Sequence, residues 1–407
     1  MLCVWLAIGA LGGALSAQDR PETVGSPDDT KTIDVSDLWH KVRRHEGTGQ
    51  GGTLDSNKRF LVFAPSIGSK PSTGLSGGLS WNTAFFSGDP ATTHISSLSG
   101  GLKVSQKKQT MLGVKLAVFT DDDRWFLLGD NRMSWTSQNT YTLGSSALSS
   151  SAENLNFDSF RLYEDLYRTV KPGLLIGAGL NFNAHSDVQP NGGDPEAFDQ
   201  SAYVSYSAKH GLSVDRQTSS GTSVGLRYDT RDNAINPQRG WLAGATYRTF
   251  FAGMLRGDST WQQLNLDVRT YKALTRDARQ KVAFWFLGDL VTGGAAPYFD
   301  LPATGADGRS ARGYGDGRYR GEHLLYGEAE YRGTITNNGL LGFVAFTNVT
   351  TIGSVESGDT LFGSYAPGGG AGLRVLLNKR SRTNLCADYG WGKDGSRGFY
   401  LAIQEAF

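Results

Sequence analysis

The sequence predicts an all-β protein, a 16-stranded antiparallel β-barrel that crosses a membrane. Three observations predict this fold class. From residue 58 onward, runs of alternating apolar and polar residues recur, with turn residues between them. Many runs have ten or more residues, as a tilted span across hydrocarbon requires, whereas ordinary strands average about five or six. Connections alternate between short turns and long loops, which is typical of outer-membrane barrels.

The alternation predicts the position of each strand in turn. It is clearest in the tenth strand, where Leu264 and Leu266 lie on one face and Asn265 and Asp267 on the other. Periodicity alone does not tell which face is inside, so other observations decide the class. The predicted strands are 58–68, 74–86, 93–105, 109–119, 123–135, 157–170, 172–184, 219–230, 239–252, 258–274, 279–292, 321–335, 339–352, 366–378, 382–392 and 396–407.

The lengths of the connections follow the parity of the strands. The long ones all come after odd-numbered strands, at 136–156, 185–218, 293–320 and 353–365, whereas turns after even-numbered strands are mostly short. A soluble sandwich has no reason to keep this parity, so it favours a barrel with turns at one rim and loops at the other. Aromatic residues near strand ends fit interfacial girdles, and they include Trp81, Trp125, Trp135, Trp241, Trp391, Tyr247 and Tyr271.

The N-terminal part predicts export. Residues 1–17 are interpreted as a signal peptide, because an apolar stretch ends in Ala-Leu-Ser-Ala before polar residues. Residues 18–57 are polar and too few to build an independent core, so they are predicted to form a short periplasmic tail. The barrel then occupies residues 58–407, where no apolar run approaches the length of a spanning helix.

Composition and motifs argue against several functions. The formal net charge of +1, with acids and bases interspersed, argues against nucleic acid as a partner. Cys3 would leave with the signal and Cys386 then has no partner, so neither a disulfide framework nor a zinc cluster is expected. Residues 74–78 match the Gly-x-Ser-x-Gly pattern, but they continue as a strand rather than a sharp turn before a helix. We therefore predict no enzyme, metal or cofactor.

Three motifs follow each other in the second half of the chain. A turn motif within residues 223–248 contains Tyr228, Asp229, Arg231, Asp232, Asn233, Pro237 and Gly240. Arg312-Gly313-Tyr314 follows in a basic, Gly-rich loop. The chain ends with Phe399, Leu401 and Ile403 in phase before Phe407, a C-terminal aromatic of the kind that bacterial barrel proteins present to their assembly machinery. In this order and spacing, the motifs resemble the bacterial surface antigen family, the BamA/TamA superfamily of outer-membrane barrels.

The resemblance implies an inward-folded extracellular loop between strands eleven and twelve. Arg312 would then enter the lumen and meet Glu330 on the barrel wall, because a guanidinium away from bulk water needs a carboxylate. Asn348 stands where the family has a second wall acid, so the pairing is expected to have one fewer charge. Glu328, on the same inward face, is the candidate to compensate.

The resemblance also implies a location and partners. We expect an integral outer-membrane protein of the Gram-negative type, with a part in protein insertion, translocation or membrane organisation. Residues 18–57 leave no room for the periplasmic polypeptide-transport-associated domains of the family, so a form without them is expected. The expected partners are outer-membrane lipid, the barrel assembly machinery during biogenesis, and periplasmic proteins. A passive pore for small solutes and a soluble all-β binding module or enzyme stay open as alternatives.

Overall fold

The computed structural model describes residues 32–35, 37, 60–70, 73–192 and 195–407. Its strands form one closed antiparallel barrel, which confirms the predicted fold class. Each strand pairs with its sequence neighbours, and the last strand closes the ring on the first. The strands are β1 (Phe60–Lys70), β2 (Gly74–Phe85), β3 (Ser96–Ser105), β4 (Thr110–Phe119), β5 (Trp125–Thr140), β6 (Glu153–Lys171), β7 (Leu174–Pro190), β8 (Gln217–Asp229), β9 (Gly240–Phe250), β10 (Trp261–Ala273), β11 (Gln280–Gly294), β12 (His323–Thr334), β13 (Leu341–Gly353), β14 (Ala366–Asn378), β15 (Thr383–Gly392) and β16 (Arg397–Ile403).

Helices occur in the connections. Helices α1 (Pro195–Asp199) and α2 (Ala202–Lys209) lie between β7 and β8, and Ser201 caps α2 by accepting a hydrogen bond from the Val204 backbone N–H. None of the helices in the described part of the chain is long and apolar enough to cross a membrane. Short 3₁₀ turns are found at Asp121–Asp123, Ser149–Ser151, Met254–Arg256, Tyr298–Asp300 and Lys393–Gly395.

The two faces of the strands differ in polarity in the sense that a membrane barrel requires. Outward-facing Leu180 and Val224 are 60% and 62% exposed, whereas Asn181 and Glu330 on the inner face are each 2% exposed. Apolar side chains therefore surround the barrel, and polar side chains fill it. The alternative of a soluble all-β module required the polar faces to be outside, so this arrangement argues against it.

Most predicted strands agree with the structure to within a few residues, but those around the largest loops do not. β5 continues to Thr140, β6 begins at Glu153, and β7 runs on to Pro190. The extensions pair with one another, so the sheet rises above the barrel. Buried apolar residues there pack against the loops, which gives the extra turns of strand a reason to form. These residues include Leu155, Phe157, Val188, Tyr203, Tyr206, Tyr298 and Phe299.

The prediction that the last strand reaches residue 407 is wrong. β16 ends at Ile403, because Gln404 has a left-handed backbone with φ of 76° that turns the chain out of the ladder. Phe407 is buried, with its ring 5.2 Å from the Trp285 ring. Tyr271 is also buried, so it is not part of an outer girdle, whereas Trp125, Trp135, Trp241, Trp391 and Tyr247 are exposed.

The two rims differ as the parity predicts. The long-loop rim carries the connections 141–152, 191–216, 295–322 and 354–365. The short-turn rim carries the connections after even-numbered strands, of which 86–95 and 230–239 are longer than expected. The predicted signal peptide 1–17 and nearly all of the predicted tail 18–57 lie outside the described residues.

The seam between β1 and β16 closes the barrel with a short ladder. Among the described residues its register pairs Gly68 with Tyr400 and Ser69 with Phe399. By contrast, β1 pairs with β2 along its whole length, from Phe60 with Ala84 onward. Among the described residues, the backbone ladder is therefore much shorter at the seam than between the other strands.

Candidate functional site

Arg312 lies in the inserted loop, residues 295–322, and its guanidinium meets three carboxylates of the inner wall. Nη2 donates to Glu328 and Glu330 on β12, and Nη1 donates to Oδ2 of Asp388 on β15 at 2.6 Å. The guanidinium also lies 3.7 Å from the centre of the Phe346 ring. Arg312 is only 4% exposed, so these charge-assisted contacts are shielded from bulk water.

The same carboxylates bind two further arginines. Glu330 accepts from Nε of Arg332 at 2.6 Å, and Asp388 accepts from Nη1 of Arg374 at 2.5 Å. Arg374 also donates to Glu405 at 2.7 Å. Positive and negative groups thus alternate through what we call the Arg312 network. Its members are Arg312, Arg332, Arg374, Glu328, Glu330, Asp388 and Glu405.

The two residues after Arg312 fix the backbone of the loop. Gly313 has φ of 112°, and a Cβ there would lie 2.7 Å from the carbonyl carbon of Trp391. Only glycine fits this conformation and this close approach without strain. The Gly313 N–H donates to the Tyr400 hydroxyl at 3.0 Å, and the Tyr314 hydroxyl accepts from the Lys393 backbone N–H at 2.9 Å. The loop therefore contacts β16 and the connection before it.

The electrostatics of the loop favour a permanent cation at Arg312. Burial opposes the charge, but the carboxylates of Glu328, Glu330 and Asp388 outweigh it and raise the pKa of the guanidinium. Burial raises the pKa of the neighbouring Tyr314 hydroxyl to about 12. Neither group changes its protonation near neutral pH.

The tip of the inserted loop reaches the opposite wall. Lys115 on β4 donates to the backbone carbonyl of Asp307 at 3.1 Å. Arg132 on β5 donates to the carbonyls of Ala306 and Asp307 at 2.7 and 3.0 Å. The Asp307 carboxylate accepts from the backbone N–H of Ser310 at 2.8 Å and so shapes the tip. The loop therefore crosses the lumen from the β12–β15 wall to the β4–β5 wall.

The structure corrects the expectation about charge in the Arg312 pairing. Glu328 and Glu330 both contact Arg312, whereas Asn348 donates from its amide to the Arg312 backbone carbonyl at 3.2 Å. The expectation of one fewer charge is wrong, because Asp388 supplies another carboxylate from β15. Sequence reasoning missed Asp388, although its position two residues after Cys386, on the inward phase, was a signal.

The predicted turn motif stabilises its own connection at the short-turn rim. Arg231 binds both oxygens of the Asp229 carboxylate, at 2.8 and 2.7 Å. Asn233 accepts two backbone N–H groups with its side-chain oxygen, and Asp232 pairs with Arg382 at 2.6 Å. Gly240 has φ of 105°, which suits glycine. The remaining residues of the motif are the exposed Tyr228 and the buried Pro237.

The predicted C-terminal motif is divided by the turn at Gln404. Phe399, Leu401 and Ile403 remain on β16, and Phe407 lies inside, where its backbone carbonyl accepts from Arg332 at 2.9 Å. Its role as an assembly signal stays a prediction. No group of three or more His, Cys, Asp or Glu in the described part of the chain is arranged to hold a metal ion.

Comparison with known proteins gives a family and a fold. The family model of the Omp85 superfamily domain matches residues 96–407. The crystal structure of BamA from Haemophilus ducreyi lacking POTRA domains 1-3 is similar, with a TM-score of 0.54 and 13% identity over 86% of this chain and 70% of that chain. CdiB from Acinetobacter baumannii has a TM-score of 0.52 and 15% identity, over 85% of this chain and 59% of CdiB. No curated protein matches the sequence.

Proposed function

Because this chain belongs to the Omp85 superfamily, we propose that it is an integral outer-membrane barrel that assists the insertion or translocation of polypeptides. The observation that carries the proposal is the inserted loop, which is bound at Arg312 to one wall of the lumen and at its tip to the other. A loop fixed at both ends suits a barrel that acts on other chains rather than one that passes solutes freely.

The outer surface supports a place in the lipid bilayer. Apolar side chains such as Leu180 and Val224 project from the strands, and each fully buried side chain of that size is worth roughly 1.5–3 kcal/mol when it leaves water. The closed ladder satisfies the backbone polar groups within the barrel, as a spanning structure requires. In this proposal the short-turn rim faces the periplasm and the long-loop rim faces outward.

The short ladder between β1 and β16 supports a role in insertion. An exposed strand edge offers unpaired N–H and C=O groups to another strand. Opening the register of Gly68 with Tyr400 and Ser69 with Phe399 breaks few backbone hydrogen bonds. The proposal is that the seam opens towards the bilayer and offers the edge of β1 to an incoming strand.

The N-terminal part is proposed to face the periplasm after removal of residues 1–17. Support comes from the described residues that precede β1. The backbone N–H of Lys379 donates to the Asp34 carboxylate at 2.9 Å, and the Ile33 N–H donates to the Asn338 carbonyl at 2.9 Å. Both partners lie on the short-turn rim, so the described residues 32–35 lie at that side of the barrel.

A passive pore is the less favoured alternative. The contacts of Arg312, Lys115 and Arg132 hold the inserted loop across the lumen. A porin of this strand number keeps a water-filled channel instead. We therefore expect low, irregular conductance rather than a large and steady one.

Fractionation and reconstitution test the proposal. Expressed in a Gram-negative host, the protein is expected in the outer-membrane fraction, with a gel migration that changes on heating. In liposomes it is expected to accelerate insertion of an unfolded barrel protein, compared with empty liposomes. Ser69→Cys with Phe399→Cys, in a Cys386→Ala background, is expected to abolish this acceleration when oxidised and restore it when reduced. Recovery in the soluble fraction would overturn the location, and insertion no faster than in empty liposomes would overturn the activity.

A further inference from the structure

The short-turn rim encloses a cavity of about 570 Å³ that opens into the lumen. Its volume lies within the range of about 300–1,000 Å³ that is common for ligand sites. We call it the basic mouth, because the acidic side chains of its lining are Asp277 and Glu405 while the basic ones are more numerous. Those near the rim are Arg279, Lys281, Lys379, Arg380 and Arg382.

Two of these basic groups, Arg279 and Lys281, have weak or neutral partners, whereas Arg382 pairs with Asp232 at 2.6 Å. Arg279 lies 3.3 Å from the carboxylate of Asp277, but both side chains are substantially exposed, so the pair is weak. Lys281 donates from Nζ to the side-chain amide oxygen of Asn236 at 2.6 Å, and this partner carries no charge. Positive charges from β11 and from the connections beside it therefore line one enclosed space, where their fields add.

A piece of the chain itself shows what binds at the edge of this space. Nζ of Lys379 lies 3.0 Å from the Asp37 carboxylate. The backbone N–H of Lys379 donates to the Asp34 carboxylate at 2.9 Å. Lys379 also donates to the Thr32 carbonyl at 3.3 Å, and Thr32 lines the cavity. The rim thus binds an acidic segment of this chain through both its carboxylates and its backbone.

The apolar part of the lining favours a peptide over a small anion. Phe85, Phe86, Phe343 and Leu376 share the cavity with the cations. An inorganic anion leaves these surfaces in water, whereas an extended peptide can place acidic and apolar side chains on alternate sides. The lining also includes Arg374 from the lumen wall, and the lumen is separated from lipid by the barrel itself.

We propose that the basic mouth is a docking site for an extended acidic segment of a partner polypeptide. Arg279 and Lys281 bind its carboxylates, and the aromatic side chains of the lining accept its apolar residues. Residues 32–35 and Asp37 occupy the neighbouring edge, where they contact Lys379. The site depends on the fold of the barrel and goes beyond the proposed function, because it does not require that the chain inserts proteins.

Peptide binding to the full-length barrel in detergent tests this site. The probe is a fluorescein-labelled peptide in which Glu and Val alternate, and the matched probe has Gln in place of Glu. Titration by fluorescence anisotropy is expected to show binding of the Glu peptide, about tenfold weaker binding of the Gln peptide, and lower affinity at about 300 mM than at about 50 mM NaCl.

Variants locate the binding. Arg279→Gln with Lys281→Gln is expected to weaken the Glu peptide by about fivefold or more. Lys107→Gln with Lys108→Gln removes the same charge from a turn on the long-loop rim, and its affinity is expected to match the wild type. Arg279→Gln alone, on an exposed turn, gives a second test if the double variant fails to fold. Heat-dependent migration on gels reports folding of each variant.

Three results would overturn the inference. They are equal binding of the Glu and Gln peptides, equal loss in the two double variants, and displacement of the Glu peptide by inorganic phosphate at similar concentration. Binding to anionic lipid vesicles that depends on Arg279 and Lys281, without peptide binding, would also overturn it and assign the cations to lipid. Failure of the insertion assay leaves peptide binding unaffected, so the two proposals fail separately.

Discussion

The wall from β12 to β15 and the seam between β1 and β16 are held in opposite ways. β12 and β13 are paired from His323 with Gly353 to Thr334 with Gly342, and the Arg312 network adds buried ion pairs across this wall. The seam has the short register at Gly68 and Ser69. The barrel therefore joins this wall by many bonds, whereas the described part of the neighbouring seam has few.

One residue connects the two regions. Tyr400 is in register with Gly68 at the seam, and its hydroxyl accepts the N–H of Gly313 in the inserted loop at 3.0 Å. The connection before β16 also binds the loop, because the Ser396 hydroxyl donates to the Gly313 carbonyl at 2.7 Å. A change that releases the loop is thus expected to loosen the seam as well.

The largest effect is expected for Arg312→Ala. It leaves the carboxylates of Glu328, Glu330 and Asp388 buried near one another, and removing one partner of a buried pair costs about 3–5 kcal/mol. The free energy of unfolding, measured in urea with the barrel in detergent, reports this loss. Arg397→Ala, at an exposed position next to the seam, is the control and is expected within about 0.5 kcal/mol of the wild type. Equal effects would contradict the contrast between the two regions.

A smaller effect is expected for Gly313→Ala. The new Cβ meets the backbone of Trp391 at 2.7 Å with φ of 112°, so we expect a loss of about 1–3 kcal/mol. Gly308→Ala is a matched control in the same loop, since φ is 79° there and nothing lies within 4 Å of the new atom. Its loss is expected to be about 1 kcal/mol. A Gly308 variant as unstable as the Gly313 variant would show that close packing of the loop is unimportant.

For Asn348→Asp, the expected loss of unfolding free energy is similar to that of Gly313→Ala or slightly smaller. The change removes the amide that donates to the Arg312 carbonyl and adds an acid beside those already present, so a loss of about 1–2 kcal/mol is expected. Combined with Asp388→Asn, it restores the original number of carboxylates. The double variant is expected to lose less unfolding free energy than the two single variants lose together. Additive losses would mean that Asp388 does not replace the family acid.

The smallest effect is expected at the loop tip. Lys115→Met removes the hydrogen bond to the Asp307 carbonyl, with a cost of about 0.5–1.5 kcal/mol in unfolding free energy. Because the Arg312 end stays bound, we expect brief openings in single-channel recordings without a permanent pore. Lys272→Met, at an exposed position on β10, provides the comparison. Identical recordings for the two variants would show that the tip contact of Lys115 does not help to close the lumen.

Most strands of the barrel could be predicted from local sequence patterns. Alternation located the strands, and the length of the connections separated the rims, because both depend on neighbouring residues along the chain. The contact of Arg312 with Glu328 and Glu330 lay within reach of the family resemblance. Asp388 and the tip contact of Lys115 did not, since they depend on which walls face each other across a closed barrel. The inward turn after Ile403 depends likewise on distant partners of Phe407.

Single-channel recording of the wild type and Arg312→Ala in planar bilayers tests the central claim most directly, namely that the inserted loop closes the lumen through Arg312. The wild type is expected to show low, irregular conductance, because the loop is bound to both walls. Arg312→Ala is expected to show a larger and steadier conductance. A large, steady conductance in the wild type, or the same recording for both proteins, would contradict the claim.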